Sequence, residues 1–332
     1  MDIPKTNFNP PFRFGRASHL TFTVRDLARS RDFYTKVVGL VVSDDDWDTL
    51  FLRGVEERAH HSLVLKRTNS APACVRTGLR TRSEEDLDKA KFFFDKREIK
   101  AEFVEMPYQS RTLRATDVSG TPIELCAAMS RVERVDQQFE ALQGAGALRF
   151  DHYQVTVPDI VAASTFYADM GFRIIDYMVV AGEPVGVFLH VKETPYDVVF
   201  IRRPGPALHH FGYIVNGIHD IIKACDVAGS LGLGECVEFG PGRHSLGHSY
   251  YVYLLDPDGH RIELLPPPVY FGDADEGPIV HDLTGRAHVT ESWGLPPRLN
   301  WLKNGSAFEG VARTSPPAGG PEPSLEAYLS LG

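Results

Sequence analysis

The chain is poor in the features that would place it outside ordinary globular proteins. It has only four cysteines in 332 residues, Cys74, Cys126, Cys225 and Cys236, with no close-pair spacing. That excludes a disulfide framework and a thiolate metal knuckle, and leads us to expect reduced thiols in a cytoplasmic protein. No apolar run approaches the length of a membrane span, and the first residues carry no signal-peptide pattern. No basic run stands out and the net charge is −9, which argues against nucleic acid or an anionic membrane as partner. What remains is a globular composition, 43% hydrophobic and 24% charged, long enough for two cores.

The most informative stretch is Tyr250 to Leu265, Y-Y-V-Y-L-L-D-P-D-G-H-R-I-E-L-L. Asp256-Pro257-Asp258-Gly259 is a turn between two apolar strands. In the second, Ile262 and Leu264 face one way and Arg261 and Glu263 the other. A carboxylate on such a strand needs a cation, a proton or a metal, because burying it unpaired costs several kcal/mol. A nearby arginine partner or an exposed position is the simplest reading of Glu263 alone.

The rest of the chain adds a repeat. Ser18–Val24 reads as a strand, Asp26 caps a helix over 27–38, and Gly39 ends it. Asp151–Val157 and Asp159–Met170 repeat that text, with Phe166-Tyr167 in register with Phe33-Tyr34 and Gly171 in the place of Gly39. Asp256–Leu264 likewise repeats Asp117–Leu125, with Glu263 on Glu124. The offset is 133 residues at His19/His152 and 139 at Glu124/Glu263, which indicates a duplication. Each half divides again, giving four modules over about 17–67, 78–127, 150–202 and 208–266. One helix and several strands per module predict an α+β fold of mixed sheets with helices outside.

The duplication isolates extra chemistry in one copy. His152 opens the third module, His210 the fourth, and Glu263 lies on the last strand of the fourth. The first half keeps His19 and Glu124, but the strand at Arg76–Arg82 has no histidine, so that copy reads as structural. Two imidazoles and a carboxylate make the facial set that holds non-haem Fe(II), with Mn(II) also suited, and leave positions open for reactants.

Four pieces carry a family resemblance: Asp151-His152-Tyr153-Gln154, His209-His210-Phe211, Gly240-Pro241-Gly242-Arg243-His244, and Tyr253 through Asp256-Pro257-Asp258-Gly259-His260-Arg261 to Glu263. From about Arg16 to Trp301 the chain resembles the type I extradiol catechol dioxygenases of the vicinal-oxygen-chelate superfamily. The resemblance implies four βαβββ modules paired into two domains, here expected at 1–135 and 145–290. A tail over 291–332 follows, with Glu291–Pro297 a possible lid and 314–332 mobile. It implies His152, His210 and Glu263 as metal ligands, with His244 and Tyr253 at the substrate oxygens. Gln154, Phe188, Phe239 and His248 are expected around the substrate. The implied reaction inserts both atoms of O2 into a catechol-type ring. A homo-oligomer, tetramer or dimer, is also expected.

The chain departs from that pattern at the acid–base position. The family places a histidine about fourteen residues before the second ligand histidine, in a motif resembling N-P-H-D. Here the stretch is Thr194-Pro195-Tyr196-Asp197. A phenol titrates near 10 against about 6.5 for imidazole, so Tyr196 is a donor but a poor base. Tyr196 could act in another way, His248 or His190 could supply the proton, or the metal could serve a non-canonical oxygenation or a non-oxidative isomerase or lyase reaction. A metal-free binding module is a third class. Phe188 and Phe239 stand where members taking carboxylated catechols carry Trp and Arg, which predicts a less anionic, more apolar substrate. His209, the pair His60-His61 and Arg243 are expected to be structural, and His260 to lie on the surface.

Overall fold

A computed structural model describes residues 3–271, 273, 275–284, 291–295 and 297–316. Position 296 in the expected lid and residues 317–332 of the expected mobile tail lie outside the described residues.

Every module begins on a central strand and closes on a strand parallel to it. In the first half the elements are β1 (Phe14–Val24), α1 (Leu27–Asp32), β2 (Val41–Asp45), β3 (Thr49–Arg53) and β4 (Leu63–Arg67), then β5 (Cys74–Thr81), α2 (Glu84–Lys96), β6 (Ala101–Val104), β7 (Thr112–Thr116) and β8 (Pro122–Cys126). In the second half they are β9 (Arg149–Val157), α3 (Ile160–Asp169), β10 (Arg173–Val180), β11 (Glu183–His190) and β12 (Val198–Arg202), then β13 (Ala207–Ile214), α4 (Ile218–Ser230), β14 (Val237–His244), β15 (Tyr250–Leu255) and β16 (Arg261–Leu265). The strand order is β2-β3-β4-β1-β5-β8-β7-β6 in the first sheet and β10-β11-β12-β9-β13-β16-β15-β14 in the second. The two orders are the same pattern, so the duplication reaches from sequence to topology. The fold is α+β, four βαβββ units in two sheets.

Local signals set the helix ends. The Asp26 carboxylate accepts from Ala28 N and Arg29 N, and Asp159 from Ala162 N. After α1 the chain continues as a wider helical turn over Phe33–Val38 before Gly39 takes the left-handed conformation that ends it. Phe33 and Tyr34, with Phe166 and Tyr167 in the second copy, are buried in one hydrophobic core shared by both sheets.

The chain beyond the fourth module is built into the second sheet, and its last two strands lie in the expected tail. The strands β17 (Ile279–Asp282), β18 (Glu291–Trp293) and β19 (Ser306–Ala307) pair with β10, β14 and β13 respectively. Thr314 pairs with Gly205. Among the described residues no helix is long and apolar enough to cross a membrane.

Candidate metal centre

One rung of cross-strand neighbours assembles the site. His152 on β9 pairs with Gly212 on β13, Gly212 with Glu263 on β16, Glu263 with Tyr253 on β15, and Tyr253 with Phe239 on β14. His210 stands two residues before Gly212, on the same face of β13 by the two-residue period of a strand. Gly212 lets the rung close: a Cβ there would lie 2.5 Å from the His152 ring.

The three donors converge. His152 Nε2 is 3.1 Å and His210 Nε2 3.4 Å from Glu263 Oε2. The two imidazole nitrogens are 3.2 Å apart. All three donor atoms lie within 4.8 Å of one another, and all three residues are buried. The arginine reading of Glu263 fails, because Arg261 pairs with Glu238 instead. Buried imidazoles presenting their lone pairs to each other and to a carboxylate have no mutual hydrogen-bond solution without an extra positive charge. Two neutral nitrogens and one oxygen fit a divalent ion of the Fe(II) or Mn(II) kind.

Neighbours fix which nitrogen faces inward. The Asp151 carboxylate accepts from His152 Nδ1 at 2.9 Å, which leaves Nε2 as the donor atom. His210 is set by a longer chain. The Trp301 carbonyl lies 2.8 Å from His209 Nε2 and can only accept, so that nitrogen carries hydrogen. Burial and Arg261 hold His209 neutral, its pKa well below the ordinary value. His209 Nδ1 therefore accepts from His210 Nδ1 at 2.8 Å, and His210 Nε2 is free. His209 thus turns from the centre, as a structural residue, yet orients the ligand beside it.

Burial and mutual bonding shift all three donors. Burial pushes His152 down, but the bonds and charges of Asp151 and Glu263 outweigh it and raise the imidazole to about 9. Burial lowers His210 to about 4 despite Glu263. Burial would raise Glu263, but bonds from His152, His210 and His244 hold it well below the carboxylate range.

His244 and Tyr253 flank Glu263. His244 Nε2 is 3.1 Å from the Tyr253 hydroxyl and 3.4 Å from Glu263 Oε1. Burial and Glu263 keep the Tyr253 phenol protonated. The Phe239 ring stacks on Tyr253 at 5.7 Å and packs on Tyr251 and Trp301. Glu291, from the segment expected as a lid, approaches His244 Nδ1 at 3.7 Å.

The Tyr196 ring stands edge-on to His152, with ring centroids 6.3 Å apart, and packs against Phe188 at 4.7 Å. Its hydroxyl donates to Asp176 at 3.1 Å. Gln154 is half-buried opposite His210. His248 is exposed, and its carbonyl accepts from Arg243, which also reaches the Tyr250 hydroxyl and so holds that loop. His190 Nδ1 meets the Lys192 carbonyl at 2.6 Å. His260 is not on the surface: it is 1% exposed and bridges Ser306 to the Thr23 carbonyl of the other half. Sequence reasoning assigned no role at the site to Asp176, Glu291 or Trp301; Asp176 does have a signal in the repeat, since Asp44 holds its position in the first half.

The first half carries the same rung with other chemistry. His19 pairs with Gly78, Gly78 with Glu124 and Glu124 with Arg114. Arg114 takes the place of Tyr253 and bonds Glu124 at 3.2 Å, while His19 bonds it at 2.7 Å. The carboxylate is thereby neutralised from within, and Arg76 holds the register of His210. The pair His60-His61 is buried in this half. Leu63 pairs with Leu20 as Val198 pairs with Tyr153, so His61 is the counterpart of Tyr196.

A sequence model of the glyoxalase/bleomycin resistance protein/dioxygenase superfamily matches residues 16–125 and 149–264. The chain is 27% identical over 284 residues to the manganese-dependent 2,3-dihydroxybiphenyl 1,2-dioxygenase of Geobacillus genomosp. 3, covering 79% of this chain and 88% of that one. It is 24% identical over 322 residues to the metapyrocatechase of Geobacillus stearothermophilus, covering 92% and 93%. The structure resembles homoprotocatechuate 2,3-dioxygenase from Brevibacterium fuscum in its anaerobic complex with 3,4-dihydroxyphenylacetate. The TM-score is 0.86 and the identity 32%, over 92% of this chain and 96% of that one.

Proposed function

The chain belongs to the glyoxalase/bleomycin resistance protein/dioxygenase superfamily, and we propose that it is an extradiol ring-cleaving dioxygenase acting on an apolar catechol. The observation that carries this reading is the convergence of His152, His210 and Glu263 beside Tyr253 and His244. Those three residues would hold a divalent ion, Fe(II) or Mn(II). When bound, such an ion supplies positive charge for two vicinal diol oxygens and further coordination positions for O2.

The chain's own groups set orientation and proton traffic. The protonated Tyr253 hydroxyl can donate to an ionised diol oxygen, with His244 holding that hydroxyl in place. Buried walls exclude bulk water. On the Tyr196 side the wall is apolar: Met178, Val185, Val199, Ile201 and Leu246, with Phe188 and Leu283 packed on them. Phe188 packs on that wall and Phe239 on Tyr253, apolar side chains where the resemblance expects Trp and Arg, which supports a substrate without a carboxylate. On this reading Tyr196 stands where the family's acid–base histidine is expected.

A lyase or isomerase on the same scaffold is less well supported, because among the described residues no second carboxylate joins the three donors. We also place the protein in the cytoplasm, where its four unpaired thiols fit a reducing compartment. A homo-oligomer, dimer or tetramer, belongs to the same proposal and is read by light scattering. The decisive test is anaerobic loading with Fe(II) or Mn(II), then a panel of catechols with air admitted. O2 uptake with a yellow ring-opened product is expected. No O2 uptake with any vicinal diol would overturn the proposal.

A further inference from the structure

We infer that Asp176, reached through Tyr196, stores and returns the substrate proton, with His281 positioning it. This rests on the ring-cleavage reading above. Tyr196 alone cannot be the base, since burial and Asp176 keep its phenol far above the ordinary value. The geometry supplies another route. The Tyr196 hydroxyl donates to Asp176 Oδ2 at 3.1 Å, and His281 Nε2 meets Asp176 Oδ1 at 2.7 Å. Asp176 is 2% exposed, whereas the His281 side chain, on the neighbouring strand β17, is 25% exposed. The phenol proton is committed to the carboxylate, so the phenol oxygen keeps lone pairs with which to accept, and the Tyr196 ring stands edge-on to the His152 ring at 6.3 Å, beside the three donors. Gly247 leaves room beside that oxygen: a Cβ there would stand 3.1 Å from it.

The step balances without a phenolate. A diol O–H bond breaks as a new bond forms to the Tyr196 oxygen. The original Tyr196 O–H bond breaks as one forms to Asp176 Oδ2. Tyr196 ends as a neutral phenol, and the proton rests on Asp176. Reversing both transfers returns the proton to the ring-derived oxygen. His281 takes no proton from the substrate; it holds Asp176 Oδ1 so that Oδ2 faces the phenol. The bland alternative is that Asp176 and His281 only pin β17 to β10.

Three measurements separate these. Tyr196→Phe and Asp176→Asn should each lower kcat by about 10²-fold or more with little change in KM. The double variant should fall no further than the lower single, because both remove one path. Asp176→Glu should recover part of the loss and His281→Gln should lose less than Asp176→Asn. The solvent deuterium effect on kcat should indicate two moving protons in the wild type and lose that signature in Tyr196→Phe. Without turnover, anaerobic binding of a diol to the metal-loaded protein should produce an infrared band of a protonated carboxyl group, absent in Asp176→Asn and in Tyr196→Phe. An Asp176→Asn protein that folds, binds diol and turns over at the wild-type rate would overturn this inference alone. So would a carboxyl band that survives Asp176→Asn, or losses that multiply in the double variant. A wild type that takes up no O2 with any diol would overturn the ring-cleavage reading and this inference with it.

Discussion

Tyr34, on the first helix of one half, donates its hydroxyl to Asp256 in the last turn of the other half at 3.0 Å. Its repeat partner Tyr167 donates to Asp117 at 3.2 Å, in the opposite direction across the molecule. The duplicated helix and the duplicated turn thus lock each other in exchange. Tyr34→Phe leaves a buried acceptor short of one donor and should cost about 1–3 kcal/mol. Asp256 keeps its bonds from Asp258 N and His260 N, which favours the low end. Denaturant unfolding of both proteins checks this, and equal midpoints would assign the hydroxyl no net worth.

Asp117 makes the same contact pH-dependent. Burial raises it from the ordinary 3.8 to about 6, although bonds from Thr121 and Ser119 resist. The folded protein therefore holds a proton that the unfolded chain has released. That favours folding below about pH 4 and is lost as pH rises through about 6. The rise corresponds to about 3 kcal/mol. The stability difference between wild type and Asp117→Asn should shrink by about this amount between pH 4 and 6.5 and stay level above. A constant difference would mean that Asp117 is ionised throughout.

Metal content should follow the second copy only. Glu263→Gln and His210→Gln should bring bound Fe(II) or Mn(II) from about one ion per chain to near none, read by elemental analysis after dialysis. His19→Ala should leave the content unchanged, because Arg114 already satisfies Glu124. Loss of metal in His19→Ala with intact folding would contradict the assignment.

The residues that orient the ligands should be felt at the metal. Asp151→Asn and His209→Ala each disturb the nitrogen presented inward by His152 or His210, and a loss of about 10- to 100-fold in metal affinity is expected. Titration calorimetry on apoprotein would report it directly.

Substrate preference should be apolar. Alkyl- or aryl-substituted catechols should exceed 3,4-dihydroxyphenylacetate in kcat/KM by about tenfold or more, equivalent to about 1.4 kcal/mol. A preference for the carboxylated catechol would show that a cation outside the Phe188 and Phe239 positions serves the carboxylate.

The fold was readable because the repeat is in the text. Phe33-Tyr34, Gly39, Asp117–Gly120 and Glu124 each recur, and period-2 alternation set the strand faces. The meeting of His152, His210 and Glu263 was readable for the same reason: they occupy equivalent ends of repeated modules. What escaped was the traffic between elements. Nothing near Tyr196 in the sequence announces Asp176 or His281, which reach it by sheet pairing. His260 looked exposed because its turn is polar, yet the opposite half covers it. Register made His61 the counterpart of Tyr196, a match that the local text of His60-His61 does not announce.

The rung that joins His152, Gly212, Glu263, Tyr253 and Phe239 spans five strands drawn from two modules. During synthesis Glu263 is the last of the three donors to leave the ribosome, and β16 must dock against β13 before its carboxylate meets the imidazoles. A nascent chain can therefore bring the three donors together only after β16 has been made, so any metal binding waits for the last strand of the fourth module.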